Sequence, residues 1–163
     1  MVTITFGSAL RQFMSDLVSI LDSATEWTGE GGSDTFGAKP SIDRKTDRKV
    51  TGIGRSKNEV ILIYSDNEAI KAFSLGVAVG RKDWYHTVSA TIEVQNNTGE
   101  ERFDQLVAAV LSTLREATNI KRAGYVQIIV GNYRNLSEPS RNKYRGIIDV
   151  RGELVNPSYD STD

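Results

Sequence analysis

An amphipathic helix, predicted to begin at Thr98, is the feature that most constrains the fold of this chain. Apolar residues follow it at three- and four-residue steps, which place them on one helix face: Phe103, Leu106, Val107, Val110, Leu111 and Leu114. Thr98 and Glu101 have the spacing of a capping box, in which each side chain binds the backbone N–H of the other residue. The apolar face needs a covering layer, and predicted strands lie on both sides of it in the sequence.

Four segments predict these strands. Residues 87–95 and 144–155 alternate between apolar and polar side chains, which is typical of half-buried strands. Residues 125–130 are rich in β-branched residues, and residues 59–64 are apolar on both faces, which predicts a short central strand. On the polar face of 144–155 we expect cross-strand charge pairs that are individually weak.

The sequence also predicts a second helix and several connections. Residues 8–27 carry Phe, Met and Leu at helical spacing, with Ser8 as the N-cap. Residues 65–67 predict a turn and residues 68–75 one or two helical turns. Residues 76–80 fit either a strand or a loop.

A long polar segment separates the first helix from the first central strand. Residues 28–57 contain a glycine-rich stretch and then a charged run, and an unstructured connection of this length is commonly functional or disordered. The glycine-rich stretch lacks the Gly-Lys-Ser/Thr ending of a phosphate-binding loop. Five cations among residues 44–55 could contact phosphates, namely Arg44, Lys45, Arg48, Lys49 and Arg55. Asp43 and Asp47 interleave with them, so we favour a solvated arm or a subunit contact.

Composition excludes several classes of protein. A chain of 163 residues is enough for one domain with a sizeable core. The net charge of −1 gives no overall field that would attract nucleic acid or acidic membranes. The absence of cysteine removes disulfides and thiolate chemistry. No apolar run approaches the roughly 20 residues that span a bilayer, and no secretion signal is evident, so we expect a soluble protein made inside the cell.

The sequence offers little for catalysis or metal binding. His86 is the only histidine, no carboxylate lies at helical ligand spacing from it, and its place at the mouth of a strand predicts an ordinary polar edge residue. Glu100 and Glu101 suit the start of a helix, where the dipole favours negative charge. No serine lies in a nucleophile-elbow context. We therefore predict no catalytic residue, no cofactor and no metal site, and a protein that is not an enzyme.

Together these segments predict an α+β fold with a mostly antiparallel sheet of about four strands and two amphipathic helices packed on one face. Residues 1–157 would form a single domain that carries the insertion at about 28–57. Residues 158–163 would form a polar C-terminal tail.

The order of the elements resembles a known family. An initial helix and a strand are followed by an aromatic-led strand at 85–94, a helix with an acidic start at 101–116, a strand at 125–130 and a last strand with a Tyr-Arg start at 144–154. This pattern resembles the tail terminator, or tail completion, proteins of long-tailed bacterial and archaeal viruses.

The resemblance implies a structural role in the virion. Proteins of that family form a hexameric ring on the head-proximal end of the tail tube, stop its polymerisation and dock to the head connector. DNA passes through the lumen with transient, non-specific contact, no membrane is involved, and assembly takes place in the host cytoplasm. Under this hypothesis the cations Arg44, Lys45, Arg48 and Lys49, together with the exposed loop from Asn135 to Asn142 that includes Arg141, contact neighbouring subunits, the tail tube protein or the head-completion protein.

Other functions stay open at this point. A neck or head-completion protein would bind the portal side and often forms a twelve-membered ring. A small-molecule-binding α+β domain or an enzyme would have a concave pocket with converging polar groups. A nucleic-acid-binding ferredoxin-like module would place aromatic residues on the open sheet face, whereas the outward residues here are mostly polar or charged.

Overall fold

A five-stranded sheet with two helices on one of its faces forms the body of the computed structural model. The structure describes residues 3–4, 8–24, 27, 37–45, 59–73, 83–116, 124–155 and 158–159. The predicted α+β class, with a mostly antiparallel sheet, is confirmed, and the sheet has five strands rather than four.

The elements follow one another along the chain in a simple order. They are β1 (Thr3–Ile4), α1 (Ala9–Asp22), β2 (Ser41–Lys45), β3 (Glu59–Phe73), β4 (Asp83–Asn96), α2 (Glu100–Arg115), β5 (Gln127–Asn135), β6 (Tyr144–Val155) and β7 (Ser158–Tyr159). The strand order in the large sheet is β2-β3-β4-β6-β5, and β1 pairs with β7 separately. Within the large sheet β2 runs parallel to β3, and all other neighbours are antiparallel.

Helix α1 begins as the sequence predicts and ends earlier. The Ser8 hydroxyl accepts a hydrogen bond from the Arg11 backbone N–H at 3.2 Å, which confirms the predicted N-cap. The helix ends at Asp22 rather than near residue 27. Trp27 lies beyond the end and is buried, and its indole N–H donates to the Leu21 carbonyl at 2.8 Å. The same carbonyl also accepts from the Ala24 backbone N–H at 3.3 Å, so the indole is a further donor to the last turn of the helix.

Helix α2 begins differently from the prediction. The predicted capping box of Thr98 and Glu101 is wrong: the N-cap is Gly99, and no side chain caps the helix. Instead, the side-chain oxygen of Asn96 accepts from the backbone N–H groups of Thr98 and Gly99, both at 3.0 Å. Asparagine forms such local turns readily, and this one closes the corner between β4 and α2.

The core lies between the helices and one face of the sheet. Two glycines of β6 allow aromatic rings to lie directly on that strand. A Cβ atom at Gly152 would lie 2.9 Å from the Phe13 ring of α1, and a Cβ atom at Gly146 would lie 3.1 Å from the Phe103 ring of α2. Both rings are fully buried. The two helices therefore pack on the same sheet face, as predicted.

Strand β3 is much longer than the sequence predicts. The predicted turn at 65–67 and helical turns at 68–75 are wrong, because the strand continues to Phe73 and pairs with β4 throughout. Its register shifts between Ser65 and Asn67, so the turn-forming residues make a β-bulge instead of a reversal. Residues 76–80 lie outside the described residues.

Part of the predicted arm at 28–57 belongs to the sheet. Residues 41–45 form strand β2 at the edge of the sheet, and the rest of 28–57 except 37–40 lies outside the described residues. Arg102 of α2 fixes the start of this segment. Its guanidinium binds the Glu59 carboxylate through two bonds, at 2.8 and 2.7 Å, and also donates to the Ala38 carbonyl.

The C-terminal half agrees more closely with the prediction. Strand β6 has the predicted bounds of 144–155, and Tyr144, Ile148, Val150 and Leu154 lie on the face that the helices cover. Strand β5 covers 127–135 rather than 125–130, with an irregular register between Val130 and Tyr133. In the predicted tail, Ser158–Tyr159 pair with Thr3–Ile4, and the residues after them lie outside the described part of the chain.

Candidate assembly surfaces

The sheet face opposite the helices, here called the open face, carries polar side chains on its two central neighbouring strands. Strand pairing places these residues on it: Tyr85, Thr87, Ser89, Thr91, Glu93 and Gln95 of β4, and Arg145, Ile147, Asp149, Arg151 and Glu153 of β6. The alternation in the sequence predicted this polar face. It did not predict that two of the carboxylates, Glu93 and Glu153, are buried there.

Glu93 is the centre of the first polar cluster. The residue is 4% exposed, and its carboxylate accepts hydrogen bonds from Tyr64 at 2.5 Å, Gln95 at 2.6 Å and Arg145 at 2.5 Å. Burial acts to raise the pKa of Glu93, but the bonds from Arg145, Tyr64 and Gln95 outweigh it and hold the pKa below its usual value. The carboxylate is therefore charged at neutral pH and fully engaged.

Tyr64 is the neutral donor of this cluster. Burial, and then its hydrogen bond to the charged Glu93, raises the pKa of Tyr64 above its ordinary value. The phenol therefore keeps its proton and donates a hydrogen bond to the carboxylate. It links β3 to β4 across the open face.

Glu153 is the centre of a second cluster with the same residue types. It is 7% exposed, accepts a hydrogen bond from Gln127 of β5 and lies 3.6 Å from the Arg151 guanidinium. Burial acts to raise the pKa of Glu153, but hydrogen bonds from Tyr85 and Gln127 and the charge of Arg151 hold it below its usual value. Each cluster thus joins one glutamate to a tyrosine, a glutamine and an arginine, and together they connect β3, β4, β6 and β5.

Neither cluster is arranged for acid–base chemistry. A general base needs a pKa near the working pH and a free lone pair, whereas these carboxylates have lowered pKa values and several donors each. Among the described residues no group of three or more His, Cys, Asp or Glu side chains could hold a metal ion. These clusters stabilise the pairing of the strands.

His86 is not an edge residue, and that prediction is wrong. It lies in β4, the central strand of the five, on the face that the helices cover, and it is 4% exposed. Its strand neighbours are Ile70 and Leu154. The sequence could not place it, because nothing local shows that β4 has a partner on each side.

Among the residues that the structure describes, strand β5 forms one edge of the sheet and pairs only with β6. The exposed large apolar side chains of the described residues lie on it or next to its ends: Val126 at 59% exposure, Tyr133 at 41% and Leu136 at 46%. Residues 131–135 of the strand are all exposed. An uncovered strand edge with exposed apolar side chains can pair with another chain.

Strand β2 forms the opposite edge and carries two of the predicted contact residues. Arg44 is exposed there, and Lys45 is the last residue of the strand. Arg48 and Lys49 lie outside the described residues. The charges at this edge thus belong to an ordered strand rather than to an unstructured arm.

The predicted loop at 135–142 is exposed and ordered. Asn135 ends β5, and its side chain accepts from the Ser137 backbone N–H at 3.0 Å. Arg141 lies in a short 3₁₀ turn and pairs with Glu138 at 3.4 Å, with both side chains more than half exposed. This loop continues from the β5 edge, whereas Arg44 and Lys45 lie on the β2 edge. The predicted contact residues therefore belong to two separate surfaces, not one.

The sequence contained a partial signal for the polar clusters. Glu93 and Gln95 face the same side of one strand, and Arg145 lies near the start of another strand, on its polar face. The bond between Arg145 and Glu93 joins positions 52 residues apart, so it depends on the register of β4 and β6. A period-two pattern shows which face a residue occupies but not which residue lies opposite.

Comparison with models of known protein families and with curated proteins gives no significant match to this chain. In the part of the chain that the structure describes, neither helix has the length and apolar character needed to cross a membrane.

Proposed function

We propose that this protein is a structural virion protein at the head–tail junction, a tail terminator that forms a ring on the tail tube. The ring stops polymerisation of the tube and docks to the head connector, and DNA passes through its lumen. The protein performs no reaction, and its partners are further copies of itself, the tail tube protein and a head-completion protein.

The observation that carries this proposal is the pair of unlike edges of the sheet. A closed ring of identical subunits needs two different complementary surfaces on each copy, because every contact is head to tail. The β5 edge is long and carries exposed apolar side chains, whereas the β2 edge is short and charged. Such edges suit heterologous contacts between copies.

The open face also suits this role. A channel wall for DNA should not hold phosphates strongly, because each fixed cation that pairs with a phosphate adds affinity through counterion release. Arg145 and Arg151 on this face are each paired with a buried glutamate of the same chain, at 2.5 and 3.6 Å. Their charges are therefore partly neutralised before any DNA arrives.

The experiment is assembly of the purified protein with and without tail tube protein. We expect native mass spectrometry and electron microscopy to show a sixfold ring, and we expect addition of the protein to shorten tubes that polymerise in vitro. A matched control is tube protein with an unrelated protein of similar size. A ring of twelve that binds portal protein and leaves tube length unchanged would instead indicate a neck protein. A monomer under all conditions, with no effect on tube length, would refute the proposal.

A further inference from the structure

Strand β5 has few of the features that usually protect a sheet edge. Its nine residues include one charged side chain, Arg134, and no proline. Natural edge strands commonly avoid pairing through charges, proline, short length or a bulge. The one irregularity in β5 lies between Val130 and Tyr133, and residues 133–135 pair regularly with β6 beyond it. The strand instead has Tyr133 exposed within it and Leu136 exposed just after it. An edge of this kind is suited to being covered by another strand.

Strand β2 of a second copy has the direction required to pair with the β5 edge. Within the sheet β2 is parallel to β3, while β4, β6 and β5 alternate in direction after β3. Strands β2 and β5 therefore run antiparallel. A rotation about an axis roughly along the strands preserves these directions, so β2 of one copy can meet β5 of the next as an antiparallel pair with the open faces on the same side.

The two edges carry opposite charges on the open face, and an aromatic ring and an arginine on the helix face. On the open face, β5 carries Arg134 and β2 carries Asp43, as their pairing with Ile147 and Leu62 shows. On the helix face, β5 carries Tyr133 and β2 carries the exposed Arg44. Burial and then the negative charge of Asp104 raise the pKa of Tyr133, which indicates an acidic group beside this ring.

We infer that β2 of one copy pairs antiparallel with β5 of the next copy, with Asp43 opposite Arg134 and Arg44 opposite Tyr133, so that the sheets join around the ring. This inference rests on the proposed function, and it names the two strands that would form the contact between subunits. In this register the two open-face charges have opposite sign, and the Arg44 guanidinium can lie against an aromatic face. A partner of another kind at the β5 edge is a separate outcome of the test.

Disulfide trapping tests the pairing directly, because the chain contains no cysteine. Residues directly opposite each other in an antiparallel pair have Cβ atoms about 4.5–5.5 Å apart, close enough for a disulfide after small adjustments. The double variant Asp43→Cys/Arg134→Cys should give a ladder of covalent oligomers up to the ring size on mild oxidation. The matched controls Asp43→Cys and Arg134→Cys alone should stay monomeric on a denaturing gel.

A charge swap provides a second, independent readout. Asp43→Arg and Arg134→Asp should each weaken assembly by about tenfold or more in concentration, because each places like charges opposite each other. The double variant Asp43→Arg/Arg134→Asp should restore most of it. Circular dichroism and thermal melting of the dilute variants should match the wild type, since both positions are exposed.

The outcomes separate this inference from the proposed function. Rings that assemble without cross-linking of the double cysteine variant, or that the charge swap does not restore, overturn the β2–β5 contact and leave the proposed function standing. A covalent dimer of Arg134→Cys alone shows β5 paired with β5 and also overturns it. If no ring forms with or without tube protein, and tube length is unaffected, both proposals fail.

Discussion

The Arg145–Glu93 pair offers the sharpest test of the energetics of the open face. Arg145→Ala removes one of three donors from a carboxylate that is 4% exposed and that keeps its charge at neutral pH. Tyr64 and Gln95 remain as neutral donors. The variant therefore leaves a buried charge without its counterion.

The expected cost follows from the exposure of the two partners. Removing one member of a fully buried ion pair costs about 3–5 kcal/mol, whereas exposed pairs contribute about 0–1 kcal/mol. Here the Glu93 side chain is 5% exposed but the Arg145 side chain is 48% exposed, so solvent screens part of the interaction. We expect a loss of about 1–2 kcal/mol in the free energy of unfolding, or about 2–8 °C in melting temperature for a chain of this size.

The difference in stability between wild type and Arg145→Ala should depend on pH. Despite burial, the hydrogen bonds from Arg145, Tyr64 and Gln95 lower the pKa of Glu93 in the folded protein below its usual value. A carboxyl with a lowered folded pKa contributes stability that is present above its unfolded pKa and is lost as the pH falls through the folded value. The difference in stability between wild type and Arg145→Ala should therefore be constant from about pH 6 to 8 and shrink below about pH 4.5.

Urea denaturation followed by circular dichroism, at one low protein concentration, measures these differences. Arg141→Ala is a matched control, because its pair with Glu138 is exposed on both sides, at 70% and 56%, and should contribute less than about 0.5 kcal/mol. A cost for Arg145→Ala no larger than for this control, or one that stays the same below pH 4, would show that Glu93 does not depend on its counterion.

Two further pairs of variants test the core and the start of α2. Gly152→Ala should destabilise the protein by about 1–3 kcal/mol in urea denaturation, because the new methyl would lie 2.9 Å from the Phe13 ring. Gly99→Ala has open space around its Cβ and should change stability by less than about 0.5 kcal/mol; equal effects at the two glycines would contradict this account of the packing. Asn96→Ala should cost about 1–2 kcal/mol in thermal melting, because Asn96 is 1% exposed and accepts two backbone N–H bonds. Glu101→Ala should cost only a few tenths of a kcal/mol, since its side chain makes no cap. A larger loss of stability there than at Asn96 would indicate that Thr98 and Glu101 do form a capping box.

The periodic segments could be predicted from the sequence with useful accuracy. The stripe from Phe103 to Leu114 requires one covered helix face, and all but Leu111 of its six apolar residues are buried in α2. The alternation over 144–155 requires a strand with one covered face, and β6 has these bounds. In both cases the period of side-chain burial follows from local backbone geometry alone.

Segments whose structure depends on a distant partner could not be predicted. The sequence of residues 65–75 predicts a turn and a short helix, but pairing with β4 places residues 65–73 in β3, with Ser65 at a bulge. Residues 41–45 read as a charged arm, but the backbone pairs with β3 and Ile42 packs against the core. Backbone hydrogen bonds to a neighbouring strand do not depend on the local side-chain pattern.

The sequence by itself determined the class of the fold, the two helices and the polar character of one sheet face, because those follow from the spacing of apolar residues. Only the tertiary structure decided that Glu93 meets Arg145, that His86 lies in a central strand and that β2 and β5 are the two edges. The physical reason is that strand order and register arise from contacts between residues far apart in the chain, which no local period encodes.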